Sequence, residues 1–194
     1  MLIFLNLIYM FKNGIIITGP IGAGKSSALE IINNLGYETV DLDTISNEIL
    51  DQEDSLKFIK EYFSDCVSDE QVNRAKLAKI VFNNKEKLSL LENFLHPKIQ
   101  NKLTSILEIS KGLVFIEVSA PKNMINIFKS IVIWSPVETR IKRLLKRGMD
   151  IEDIMNRIEN QPNDEWWNSI GTVIENNDKK DFESKLKDTI QKLP

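Results

Sequence analysis

Residues 14–27 read G-I-I-I-T-G-P-I-G-A-G-K-S-S, and their pattern decides the fold. Three isoleucines and a threonine after Gly14 form a short apolar run of the kind that builds a buried strand. Gly19 to Ser26 then spells G-x-x-x-x-G-K-S, the phosphate-binding loop pattern. Glycines at 19, 22 and 24 let the backbone turn tightly and approach a phosphate. Free N–H groups at the start of the following helix add the positive end of its dipole. The expected nucleotide-binding residues are therefore Gly19, Ile21, Gly22, Ala23, Gly24, Lys25, Ser26 and Ser27. Lys25 reaches the β- and γ-phosphates of ATP, and the Ser26 hydroxyl sits on Mg²⁺. Ala28, Ile31, Ile32 and Leu35 keep a helical spacing, and Gly36 closes that helix. A strand before the loop and a capped helix after it separate this stretch from a glycine-rich turn carrying a surface lysine.

The chain has 194 residues, 42% hydrophobic and 27% charged, which is room for one domain with an inserted lobe. A net charge of −3 offers no global field for nucleic acid, so any phosphate site is local. Cys66 is the only cysteine; it excludes an internal disulfide and fits a reducing, cytoplasmic compartment. With one histidine in the chain, Cys66 reads as a small buried side chain rather than a nucleophile. The run M-L-I-F-L-N-L-I-Y-M-F at 1–11 is too short to span a bilayer and lacks the basic start and cleavage site of a signal peptide. Two readings of it stand: translation starting at Met10 with residues 1–9 extra, or an apolar arm packed on the body or on a partner.

Downstream, Y-E-T-V-D at 37–41 is a second strand that delivers Asp41 and Asp43 to its C-terminal end, where open α/β sheets bind ligands. One carboxylate can cap the helix that starts near Thr44, and the other can serve as a base; Asp43 is the candidate base for a phosphoryl acceptor. Residues from about 52 to 110 read as helices without a strand: one through Leu56, Ile59 and Phe63, one from Arg74 to Phe82, and one from Leu88 to Leu95. His96-Pro97 marks a boundary, with a new helix from Pro97 to Ile109. Read from its chemistry, His96 is structural or capping rather than catalytic. L-V-F-I-E-V at 113–118, I-V-I-W at 131–134 and T-V-I-E at 172–175 complete five strands. Glu117 either contacts a water on Mg²⁺ or pairs with a neighbour. A basic helix after Pro136 carries Arg140, Lys142, Arg143, Lys146 and Arg147; it is a solvated face or a lid that brings guanidinium groups to a transferring phosphoryl. The alternation implies a parallel sheet with helices on both faces, an α/β P-loop phosphotransferase or nucleotide hydrolase.

The motifs T-G-P-I-G-A-G-K-S-S at 18–27, V-D-L-D at 40–43, N-R-A-K-L-A-K-I-V-F at 73–82, L-H-P-K-I at 95–99, R-L-L-K-R at 143–147, R-I-E-N-Q at 157–161 and V-I-E-N-N at 173–177 resemble, in this order, the dephospho-CoA kinase family. The resemblance spans nearly the whole chain beyond the apolar arm. It implies a nucleoside monophosphate kinase-like fold: a five-stranded parallel core at about 12–51 and 111–194, a helical substrate lobe at about 52–110 and a lid at about 140–165. It also implies transfer of the ATP γ-phosphate to the ribose 3′-hydroxyl of dephospho-CoA, a small-molecule partner. The family's base falls on Asp43, its lid arginines on Arg143 and Arg147, and its substrate-side residues on Arg74 and His96, which makes His96 a neighbour of the site. The chain departs from the family pattern in one stretch and three single residues: Ser119-Ala120-Pro121-Lys122-Asn123 after the third strand, Glu70 for a glycine, Gly171 for an aspartate, and Arg140 for a glutamine. Three other readings stand: a P-loop kinase of a nucleoside monophosphate or other small hydroxyl compound, a nucleotide-gated assembly protein, and a degenerate relative that only binds ATP, the last kept open by the stretch at 119–123.

Overall fold

The computed structural model of the chain describes residues 12–193; the apolar N-terminal run lies outside the described residues. In chain order the elements are β1 (Gly14–Thr18), α1 (Lys25–Asn34), β2 (Glu38–Asp41), α2 (Leu42–Leu50), α3 (Glu53–Tyr62), β3 (Val67–Ser68), β4 (Gln71–Val72), α4 (Arg74–Phe82), α5 (Lys85–Ile109), β5 (Val114–Glu117), β6 (Lys129–Trp134), α6 (Val137–Lys146), α7 (Ile151–Glu159), α8 (Asp164–Ser169), β7 (Thr172–Glu175) and α9 (Lys179–Gln191). They form two compact units, one built from residues up to Asp41 and from Ser110 onward, the other from Leu42–Ile109.

The first unit is a five-stranded sheet in the order β2-β5-β1-β6-β7. Every pair is parallel, with Ile15 opposite Phe115 on one side and Ile17 opposite Ile131 on the other. The chain leaves β1 for one edge and later returns for the other, so β1 lies where the strand order reverses and its carboxyl end is the natural ligand position. Helices on both faces leave no solvated side to β1, which explains its unbroken run of β-branched residues, all buried. On one face Ile15 and Ile17 pack with Ala28 and Ile32 of α1 and with Phe182, Leu186 and Ile190 of α9. α1 ends as its glycine implies: Gly36 N–H donates to the Asn33 carbonyl (2.8 Å) and Tyr37 N–H to that of Ile32 (3.4 Å). Gly171, the departure from the family aspartate, sits against β6. A β-carbon at 171 would lie 2.2 Å from the Ser130 carbonyl oxygen, so no side chain fits there without movement.

The second unit differs from the sequence reading in two ways. A two-residue hairpin, β3 with β4, interrupts the helices; Ser68 pairs with Gln71. Its turn residues Asp69 and Glu70 have φ of 49° and 59°. Glu70, which stands where the resemblance expects glycine, is thus left-handed in this chain, at a cost of roughly 1–2 kcal/mol. Strands this short show no period-two signal, and the turn lacks its usual glycine. The second correction concerns Pro97. It does not divide two helices; α5 runs through it for 25 residues. A proline inside a helix costs about 3 kcal/mol. Leu91 and Leu95 before it and Leu103 and Leu107 after it are buried along the same helix, each contributing about 1.5–3 kcal/mol, and hold the helix together. Phe58 of α3 stacks on Phe94 of α5 at 4.0 Å between centroids, and Lys98 lies over the same ring at 5.1 Å. Cys66 is buried here, and burial pushes its thiol pKa up, as suits a packed rather than a reactive thiol.

Candidate active site

The loop between β1 and α1 is held from behind. Its glycines face protein as closely as they would face a ligand. A β-carbon at Gly19 (φ 143°) would lie 2.0 Å from the Ile133 carbonyl oxygen, and one at Gly24 (φ 103°) would lie 2.1 Å from the Asn176 side-chain nitrogen. Positive φ and close approach therefore demand glycine together at both positions. Within the loop, Ala23 N–H donates to the Pro20 carbonyl (3.2 Å). Ile21 N–H donates to the Gln161 side-chain oxygen at 2.9 Å, beyond the end of α7. Lys25 reaches back, its Nζ donating to the Gly19 carbonyl at 3.1 Å.

At its far end the loop opens into α1. Gly24 occupies the N-cap position, no side chain among the described residues caps this helix, and its first turn holds no acidic residue. Backbone donors and an uncompensated dipole end thus point out of the helix start, an arrangement that attracts an anion. Beside it a cavity of about 480 Å³ runs along α1 and α9, lined by Gly24, Ser27, Glu30, Arg143, Arg147 and Glu183 among others.

The basic helix α6 is neither a uniformly solvated face nor a row of exposed cations. Arg140 is 3% exposed, and its Nε donates to the Ser135 carbonyl at 3.1 Å. Burial pushes its pKa down, opposed by the charge of Asp164. Arg143 is half-buried, and its guanidinium donates to the carbonyls of Ala23 (3.1 Å) and Asn176 (2.7 Å) and to the Ser135 hydroxyl (2.9 Å). Burial lowers its pKa, and the neighbouring charge of Arg147 lowers it further. Arg147 itself is exposed at the C-cap of α6 and lines the cavity. Sequence reading missed Ser135, Gln161 and Asn176 as loop partners. Only the N-N pair at 176–177 and the glutamine of R-I-E-N-Q hinted at them.

The remaining candidates belong to the second unit. Asp43 lies inside the first turn of α2, which begins directly after β2, so it is a helical residue rather than a cap before one. Arg74 opens α4 and is engaged within its unit: Nη2 donates to both carboxylate oxygens of Asp51 at 2.6 Å and to the Asn47 carbonyl at 3.3 Å. His96 is exposed in the middle of α5 and therefore caps nothing. At the end of the sheet, Glu117 is 9% exposed and lies in register with Asp41.

A parallel five-stranded sheet with a phosphate loop at the carboxyl end of its central strand defines a P-loop kinase fold. Residues 14–181 match the family model of dephospho-CoA kinase. The chain belongs to the dephospho-CoA kinase family. It is 34% identical to the dephospho-CoA kinase of Campylobacter jejuni over 77% of this chain and 80% of that one. It is 36% identical to that of Helicobacter pylori over 71% and 74%. Among solved structures, TT1252 from Thermus thermophilus superposes with a TM-score of 0.86 at 27% identity, covering 95% of this chain and 99% of that one. The dephospho-CoA kinase from Campylobacter jejuni does so at 0.65 and 31% identity, covering 93% and 97%.

Proposed function

We propose that this protein transfers the γ-phosphoryl group of ATP to the ribose 3′-hydroxyl of dephospho-CoA, giving coenzyme A and ADP. The observation that carries this reading is the uncapped start of α1 behind a glycine loop, in a chain of this family. The loop amides and the Lys25 ammonium hold the triphosphate. The acceptor oxygen forms its bond to the γ-phosphorus as the bond to the bridging oxygen of ADP breaks. The hydroxyl proton passes to the Asp43 carboxylate. Arg147 neutralises charge that spreads over the phosphoryl oxygens. The helical unit, through Arg74 and His96, takes the acceptor; of the lid expected at about 140–165, the part from Arg147 onward closes, since Arg140 and Arg143 are bonded into the body.

The donor set fits Mg²⁺. Among the described residues no group of three or more His, Cys, Asp or Glu side chains could hold a metal. A hard cation that prefers phosphate and water oxygens needs one protein hydroxyl, which Ser26 supplies at the start of α1. When bound, Mg²⁺ offsets phosphate charge. No helix among the described residues is long and apolar enough to cross a membrane, and we assign the protein to the cytoplasm. Mass spectrometry of dephospho-CoA incubated with ATP, Mg²⁺ and the protein tests the proposal. A product heavier by one phosphoryl group is expected; transfer to a nucleoside monophosphate and not to dephospho-CoA overturns it.

A further inference from the structure

Arg143 spends its planar fork on the back of the phosphate loop. One loop atom gathers two of the donors there. The Ala23 carbonyl accepts from Arg143 Nη1 (3.1 Å) and Asn176 Nδ2 (2.8 Å). Arg143 Nη1 also approaches the Gly22 carbonyl at 3.4 Å, and its Nη2 donates to the Asn176 carbonyl at 2.7 Å. Ser135 Oγ donates to that same Asn176 carbonyl at 2.7 Å, which closes the network.

A trans peptide places its C=O and the following N–H on opposite sides. Holding the Ala23 carbonyl towards α6 and the end of β7 therefore turns the Gly24 N–H the other way. We propose that Arg143 is the positioning residue of the phosphate loop: with Asn176 it pins the Ala23 carbonyl outward, so that the Gly24 amide meets the phosphates of the nucleotide. This rests on ATP being the phosphoryl donor. It gives Arg143 a role through the loop backbone, distinct from that of Arg147. A lysine keeps the charge but presents one nitrogen where Arg143 presents two to these acceptors, so geometry rather than charge is what the site requires. The same geometry explains Gly24, whose β-carbon would displace the Asn176 amide.

The test compares the wild type with Arg143→Lys, Arg143→Met and Asn176→Ala in the full chain. It measures affinity for ATP and for adenosine, turnover at saturating ATP, and the ATP-induced shift of the Gly24 amide resonance. Both Arg143 variants are expected to lose about tenfold or more in ATP affinity, the scale of a lost charge-assisted hydrogen bond. Adenosine affinity and saturated turnover stay within a few-fold, and the Gly24 shift is lost. Asn176→Ala shows the same pattern more weakly. In the double variant the two losses are less than additive, because both act on one carbonyl. A hundredfold fall in turnover with ATP affinity kept overturns the proposal, because the guanidinium then acts on the reacting phosphoryl. Additive losses, or rescue of ATP affinity by lysine, overturn it as well. If Arg143→Met fails to fold, Arg143→Lys and Asn176→Ala decide the question alone. A wild type that binds ATP no better than adenosine sinks the donor reading and this proposal together. A wild type that prefers ATP, with variants unchanged, sinks this proposal alone.

Discussion

Both units carry surface ion pairs, Lys185 with Asp181 and Lys187 with Glu183 in the sheet unit among them, but the sheet unit also draws guanidinium groups inward. In the sheet unit, Arg140 and Arg143 are drawn into the structure and donate to main-chain carbonyls and a hydroxyl. In the helical unit, cations meet carboxylates at the surface: Lys57 with Glu53, Lys60 with Glu70, Arg74 with Asp51, and Lys98 with Asp54. Exposed pairs of this kind each contribute about 0–1 kcal/mol and weaken with salt. A buried guanidinium bonded to carbonyls is costly to disturb, because its removal leaves several acceptors without a donor. The contrast marks a loop end of the sheet unit built in advance and a helical unit whose surface charges can exchange partners at little cost. Arg74 illustrates the second case. Its bond to Asp51 is exposed and costs little to break, whereas Arg143 is fixed by several acceptors.

Four substitutions break or sharpen that contrast. Lys25→Met removes the ammonium from the pre-built end and is expected to abolish transfer in a labelled-ATP assay; turnover near the wild-type rate would refute the phosphate-loop role. Asp43→Asn, in the helical unit, is expected to lower kcat by about a hundredfold or more with ATP binding kept, the usual size of acid–base catalysis. Unchanged turnover there would remove the base from this account. Gly24→Ala is expected to be smaller in effect but to strike both affinity and stability. Forcing a side chain into left-handed backbone costs about 1–3 kcal/mol, which lowers the melting temperature by roughly 2–10 °C. If calorimetry shows no shift, the approach of Asn176 to the loop is looser than described. Glu70→Gly should move the other way. Relieving the left-handed turn is expected to raise stability by about 0.5–1 kcal/mol after the loss of one exposed ion pair to Lys60, read from denaturant midpoints. A loss of stability there would mean that the surface pair outweighs backbone strain and that the helical unit depends on its ion pairs.

Much of the architecture was legible because its causes are local. The run Gly14–Thr18 has no polar side chain to place before Thr18, so a strand covered on both faces is its natural state. Gly36 and Gly148 stop their helices through the conformation of single residues, with φ of 88° and 83°. The hairpin at 67–72 escaped notice because its turn is built from Asp69 and Glu70 rather than glycine. The continuity of α5 escaped because proline is a local stop signal, and apolar burial on either side of Pro97 overrides it. Arg140 illustrates the same limit. In sequence it is one cation in a basic run, and nothing local separates it from Lys142 beside it.

The amino-acid order alone therefore determined the strand, loop and helix at 14–35 and the five strands. Short-range sterics and periodicity set those features within a few residues. Tertiary structure alone decided what holds the loop open. Its partners Arg143 and Asn176 stand 120 and 153 residues from the Ala23 carbonyl they share. Hydrogen bonds over such separations leave no period in the chain, because they exist only after the sheet has brought β1, β6 and β7 side by side.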